Sequence, residues 1–223
     1  MDLTQRLAAV KDGEYREFQI NLVPNIDPRT VIGVRTPELR KIAKEIFESG
    51  ERDAFLHALP HKYYEENLIH FFVLARIKDF DVCVRETENF LPYVDCWPVS
   101  DQATPAAFGK NREKLLPYVK KWISSKHVYT ARFGLRMLMN EYLGEDFREE
   151  YLTLAASVKS GDYYLDMMVA WFFATALAKR YEETLPFFEN RVLDGRVHKK
   201  AIQKALESRR VTDEHKKYLA GMR

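Results

Sequence analysis

Cysteine is scarce in this chain of 223 residues: Cys83 and Cys96 are too few for a disulfide framework or a four-cysteine zinc site. Long hydrophobic runs are missing too, and none approaches the roughly 18 apolar residues that cross a bilayer. The opening MDLTQRLAAVKDGEYRE puts charges where a signal peptide has its apolar segment. There is no HExxH, GxGxxG, P-loop or GxSxG string. His57 and His61 have metal-ligand spacing, but Pro60 breaks the helix that would align them. These absences lead us to expect a cytoplasmic protein with no membrane contact, no metal and no cofactor. Strand patterns are nearly absent as well.

What is present is apolar mass and helical periodicity. The chain is 46% hydrophobic and 30% charged, enough for a packed core in one domain spanning 1–223. In Tyr63–Ile77 the residues Tyr64, Leu68, Phe71, Phe72 and Ala75 share one helical face. Thr36-Pro37-Glu38 predicts a helix start, with a hydroxyl cap, an early proline and an acid near the positive end. The pattern predicts helices near 3–10, 13–23, 37–48, 52–58, 63–78, 81–93, 98–108, 112–124, 128–143, 146–159, 163–180, 182–191, 196–208 and 212–220.

Internal repetition refines this. FLPYVDCW at 90–97 is echoed by LLPYVKKW at 115–122 and more weakly by TLPFFENR at 184–191. Ser125, Tyr129, Arg132 and Arg136 lie 35 residues before Ser160, Tyr164, Met167 and Trp171. Tyr64, Trp97, Tyr129, Tyr164 and Lys199 continue the register at spacings of 33, 32, 35 and 35. Helix pairs recurring at this period predict an all-α helical-repeat solenoid, with a plain helical bundle as the alternative.

Net charge is only +2, but it is unevenly spread. From Arg196 to Arg223 nine Lys or Arg residues face three acids, leaving a mildly acidic body before them. That tail reads as a phosphate-facing surface, or simply as a solvated helix. Trp97 and Asp101 share a helical face, and Arg132 and Trp171 each share the face of their repeat tyrosine. If the repeats stack, two indoles, a carboxylate and a guanidinium meet on one surface. Indole faces attract a cation, the carboxylate stabilises positive charge, and arginine suits phosphate. Each also has a structural reading: the tryptophans as core anchors, Asp101 as a helix-start acid, and Arg132 as a partner of Glu141 or another structural acid. Trp122 reads as outer helix or core, and Cys96 as a small buried hydrophobe.

IGVRTPELRKIAKEI at 32–46, Trp97-x-x-x-Asp101, SSKHVYTARFGLRMLM at 124–139, YYLDMMVAW at 163–171 and HKKAIQKALESRR at 198–210 together resemble the AlkD-type DNA alkylation repair glycosylases. The likeness runs from about Ile32 onward. It implies HEAT-like repeats with a concave basic face on double-stranded DNA. It also implies removal of cationic N3- and N7-alkylated purines without base flipping. By resemblance Asp101 is the catalytic carboxylate and Trp97 and Trp171 flank the damaged nucleotide. Arg132 then contacts the backbone near the lesion, with Arg136, Lys199, Lys200, Lys204, Arg209 and Arg210 as further DNA contacts. The family implies no cofactor, and we expect a monomer. Two departures stand out: EYREFQINLVPNIDPRT in place of the usual N-terminus, and Cys96 and Pro98 beside Trp97. A non-catalytic DNA-binding paralogue and a protein-interaction module are the alternative functions.

Overall fold

The computed structural model describes residues 2–159 and 161–223. Among them every regular element is helical, with fifteen α-helices, two 3-10 turns and no strand. No helix among the described residues is long and apolar enough to cross a membrane. The chain divides into two compact units, Met1–Asn111 and Arg112–Arg223.

The first unit contains α1 (Leu3–Ala9), α2 (Gly13–Leu22), α3 (Thr36–Glu48), α4 (Arg52–His57), α5 (Tyr64–Leu74), α6 (Phe80–Phe90), α7 (Trp97–Asp101) and α8 (Ala106–Gly109). α5 is its centre and packs against α3, α4, α6 and α7. The sequence predicts one apolar face for this helix. Instead Ile69, Val73 and Leu74 are buried along with Tyr64, Leu68, Phe71 and Phe72, because a helix apolar all round needs cover on every side. Burying it also buries Glu65, whose carboxylate accepts the backbone N–H groups of Ile32, Gly33 and Val34 at 2.7–3.3 Å. Gly33 has a positive φ of 92°, and a Cβ there would lie 2.5 Å from Arg16 Cβ, so only glycine fits.

Two expectations need correction here. Helix α3 begins at Thr36 itself, and its cap, Arg35, makes no side-chain cap bond. The helix expected over 98–108 is two short ones, because Pro105 steers Thr104 away from helical geometry and is itself extended at φ −62°, ψ 128°.

The second unit contains α9 (Arg112–Ile123), α10 (Val128–Tyr142), α11 (Glu150–Ala156), α12 (Tyr163–Lys179), α13 (Tyr181–Glu189), α14 (Gly195–Glu207) and α15 (Asp213–Ala220). Here α10, α12 and α14 lie in a row, with α9 on α10, α13 on α12 and α15 on α14. Gly134 lets α9 and α10 close up, since a Cβ there would sit 2.7 Å from the Ile123 backbone nitrogen. Trp122 is buried against Phe133, with ring centroids 5.3 Å apart. The 35-residue register becomes contact between equivalent positions: the rings of Tyr129 and Tyr164 are 6.0 Å apart, and Arg136 lies over the Trp171 ring. Ser160, part of that register, lies outside the described residues. The echoed LP strings take different forms. Pro117 and Pro186 sit inside α9 and α13, whereas Leu91–Tyr93 is a 3-10 turn.

Candidate active site

α7 follows an extended Cys96 (φ −152°, ψ 157°), and Pro98 in its first turn fixes a helical φ. Trp97 is half-buried, and its Nε1 donates to the Leu22 carbonyl at 3.4 Å. Asp101 is 9% exposed. The sequence places its carboxylate near a positive helix end. The helix stops at Asp101, so the residue stands at its C-terminal end instead. A hydroxyl instead orients it: Ser100 Oγ lies 2.9 Å from Asp101 Oδ1 and 3.0 Å from the Trp97 carbonyl. One hydroxyl proton can serve either acceptor. Neighbouring Cys96 is fully buried, and burial pushes its thiol well above the ordinary range, so it is no nucleophile at neutral pH.

Sequence reasoning missed Ser100 and Arg40. The first carries only one signal, adjacency to Asp101. Arg40, on α3, lies over the Phe72 ring at 4.2 Å and donates to the Gln102 carbonyl just past α7 at 3.3 Å. Its position could not be read without knowing how α3 meets α7.

In the second unit Arg132 is only 6% exposed and donates from Nη1 to the Tyr164 carbonyl at 2.5 Å. Glu141, one structural partner the sequence suggests for it, faces Arg112 at 3.7 Å. Arg136 donates to the Asn140 side chain, and its guanidinium lies 4.9 Å from the centre of the half-buried Trp171 ring. Thus α10 and α12 bring Arg132, Arg136 and Trp171 together, as α7 does Trp97 and Asp101. On α14, Val197, His198, Ala201, Ile202 and Ala205 face the core. That leaves Lys199 and Lys200 exposed and Lys204 half-buried, with Arg209 and Arg210 exposed just beyond.

Of the two histidines flanking Pro60, His57 faces Glu86 at 3.3 Å and His61 pairs with a third histidine, His70. His61 Nε2 and His70 Nδ1 are 2.8 Å apart, and His70 stacks on Phe90 at 3.8 Å. Among the described residues no group of three His, Cys, Asp or Glu side chains is placed to hold a metal ion.

A buried carboxylate beside a partly open indole can stabilise a cation, and exposed lysines and arginines can hold phosphates. Comparison with known proteins gives this chemistry a context. Residues 3–158 match the family described as DNA alkylation repair enzyme, while no curated protein matches the chain. The matched span includes the N-terminal segment before Ile32 as well as Trp97, Asp101, Arg132 and Arg136. Trp171 and the basic C-terminal positions follow it. With well over half of its length matched, this chain belongs to the family of DNA alkylation repair enzymes.

Proposed function

We propose that the protein is a DNA glycosylase for cationic N3- and N7-alkylated purines in duplex DNA. The observation that carries this reading is Asp101: a carboxylate buried to 9% exposure, held by Ser100, one helical turn from the half-buried Trp97. Alkylation places a positive charge on the purine. The N-glycosidic bond breaks with its electron pair leaving on the base, which departs neutral and needs no general acid. The sugar remains as an oxocarbenium-like cation. Asp101 stabilises that cation in a low-dielectric setting and takes the proton from the water whose oxygen bonds to C1′. Trp97 and Trp171 are the aromatic contacts to the deoxyribose and the cationic lesion. Arg132, Arg136 and the cations of α14 serve the phosphates. The base stays within reach without being flipped into a pocket.

In this reading the row α10, α12 and α14, with α9, α13 and α15 behind it, is a stack of HEAT-like pairs presenting a basic face to DNA. The protein acts as a cytoplasmic monomer. The test is single-turnover release of 7-methylguanine and 3-methyladenine from methylated duplex DNA. Release by the wild type is expected. A folded protein that binds duplex but releases neither base overturns the glycosylase.

One observation favours a second reading, a DNA-binding relative that excises nothing. Arg132 is buried on a helix carbonyl and Arg136 already covers a face of Trp171, so both groups are engaged within the protein. Duplex binding that weakens steeply with salt, without base release, is its signature.

A further inference from the structure

The first turns of α12 and α14 enclose a cleft of about 390 Å³ within the second unit. Tyr163, Met167 and Val197 give it an apolar lining, and Arg196, Lys199 and Lys200 line it as well. Tyr163 is 64% exposed, a large aromatic surface left in water at the edge of this cleft. Tyr164 meets it at 80°, so the two rings do not stack on each other. One acid, Asp166, also lines the cleft, and it faces Arg196 at 3.3 Å. The two lysines make the cleft cationic beyond that pair.

An aromatic and thioether surface beside several cations suits a ligand with a flat ring and an anionic group. The volume falls at the lower end of small-molecule sites, about 300–1,000 Å³. It admits one nucleotide, whereas a duplex is far too wide. Farther along the chain α14 carries Lys204, and Arg209 and Arg210 are exposed just past its end, cations enough for further phosphates of a strand. Tyr163, Met167 and Trp171 also fall at i, i+4 and i+8 on α12, about 6 Å apart along its axis, one stripe leading from the cleft.

We propose that this cleft receives an unpaired nucleotide of a DNA strand, its base against Tyr163 and Met167 and its phosphate on Lys199 and Lys200. The inference rests on the family's action on DNA but not on base excision. A protein that releases no methylated purine can still satisfy it.

The experiment uses the whole chain and two labelled DNAs, a blunt duplex and the same duplex with a short single-stranded overhang. Binding is followed by fluorescence anisotropy and by the methyl resonance of Met167. The overhang is expected to bind about tenfold tighter, the effect of stacking one base on an aromatic surface, and to shift the Met167 methyl where the blunt duplex does not. Tyr163→Ala should erase that preference while leaving blunt-duplex affinity and helicity unchanged. Equal affinity for the two DNAs, or a preference that survives Tyr163→Ala, overturns the proposal. Thymidine monophosphate moving the Met167 methyl without any overhang preference also overturns it and makes the cleft a site for free nucleotides. If neither DNA binds, the DNA reading fails and takes this one with it.

Discussion

Asp101 and Arg132 are both buried charges of the candidate constellation, yet they are held in different ways. Asp101 takes a hydrogen bond from Ser100, a hydroxyl whose proton can turn to the Trp97 carbonyl instead. Arg132 donates to the Tyr164 carbonyl, part of the main chain of α12. A hydroxyl can rotate as a ligand arrives, whereas a helix carbonyl is fixed by its ladder. The tryptophans divide the same way. The Trp97 indole donates its N–H to Leu22, while Trp171 has a guanidinium over its ring. The first unit thus offers adjustable chemistry, and the second offers groups already built into its packing.

The largest expected effect tests the adjustable side. Asp101→Asn keeps shape and removes charge, so single-turnover base release should fall by about 10³-fold or more, in the range of lost electrostatic stabilisation. Duplex affinity should hold within about twofold, because in the proposed reading the phosphates rest on other residues. Base release unchanged by the substitution removes Asp101 from the chemistry.

Arg132→Met tests the built-in side. Losing a buried, charge-assisted hydrogen bond should cost about 2–3 kcal/mol, read as a drop in denaturant midpoint at constant m. The same variant measured for duplex binding sharpens the contrast. Affinity lost at full stability would make Arg132 a DNA contact first and a structural tie second.

Acid separates the two units by another route. Burial lowers His61 to about 4 and His70 well below its usual range, so both are neutral when folded and charge readily when unfolded. The unfolded chain therefore takes up more protons as pH falls below about 6.5, and stability is lost down to the folded value near 4. His61 alone should account for on the order of 2 kcal/mol over that window. Since the pair sits in the first unit, amide protection, measured against the intrinsic exchange rate at pH 4.5, should fall around α5 before it does around α12. Uniform loss of protection across both units would contradict this.

Much of the second unit was legible in the sequence. The apolar pattern places a helix over 163–180, and α12 runs Tyr163–Lys179, capped by Asp162. The 35-residue spacing foretells which side chains become neighbours, because α10 and α12 start 35 residues apart and lie side by side, which keeps equivalent positions in register. The first unit was harder. Local periodicity cannot show that α5 is enclosed on every face, since enclosure depends on α3, α6 and α7 arriving from afar. The break at Thr104-Pro105 had a local signal, a proline, that the run of apolar residues outweighed. Partners were the least readable: Arg132 finds a main-chain carbonyl, a group present at every position and so invisible to residue type.

The smallest expected effect comes from Arg136, where the comparison can be pushed furthest. Its guanidinium lies 4.9 Å from the Trp171 ring centre, so a cationic lesion approaching that face meets a like charge already in place. Arg136→Met keeps an unbranched stem against the indole and removes the charge. Stability should fall by only about 1 kcal/mol, the usual size of a partly exposed cation–π contact. Affinity for unmodified duplex should weaken slightly, with a salt dependence shallower by about one phosphate contact. Discrimination should move the other way. With the indole face open, preference for a duplex carrying 7-methylguanine over one carrying guanine should rise by about threefold, a fraction of a full cation–π contact. An unchanged preference, measured side by side at one salt concentration, would mean that Trp171 packs the repeat and does not touch the lesion. Recognition of the cation would then fall to Trp97 and Asp101 alone.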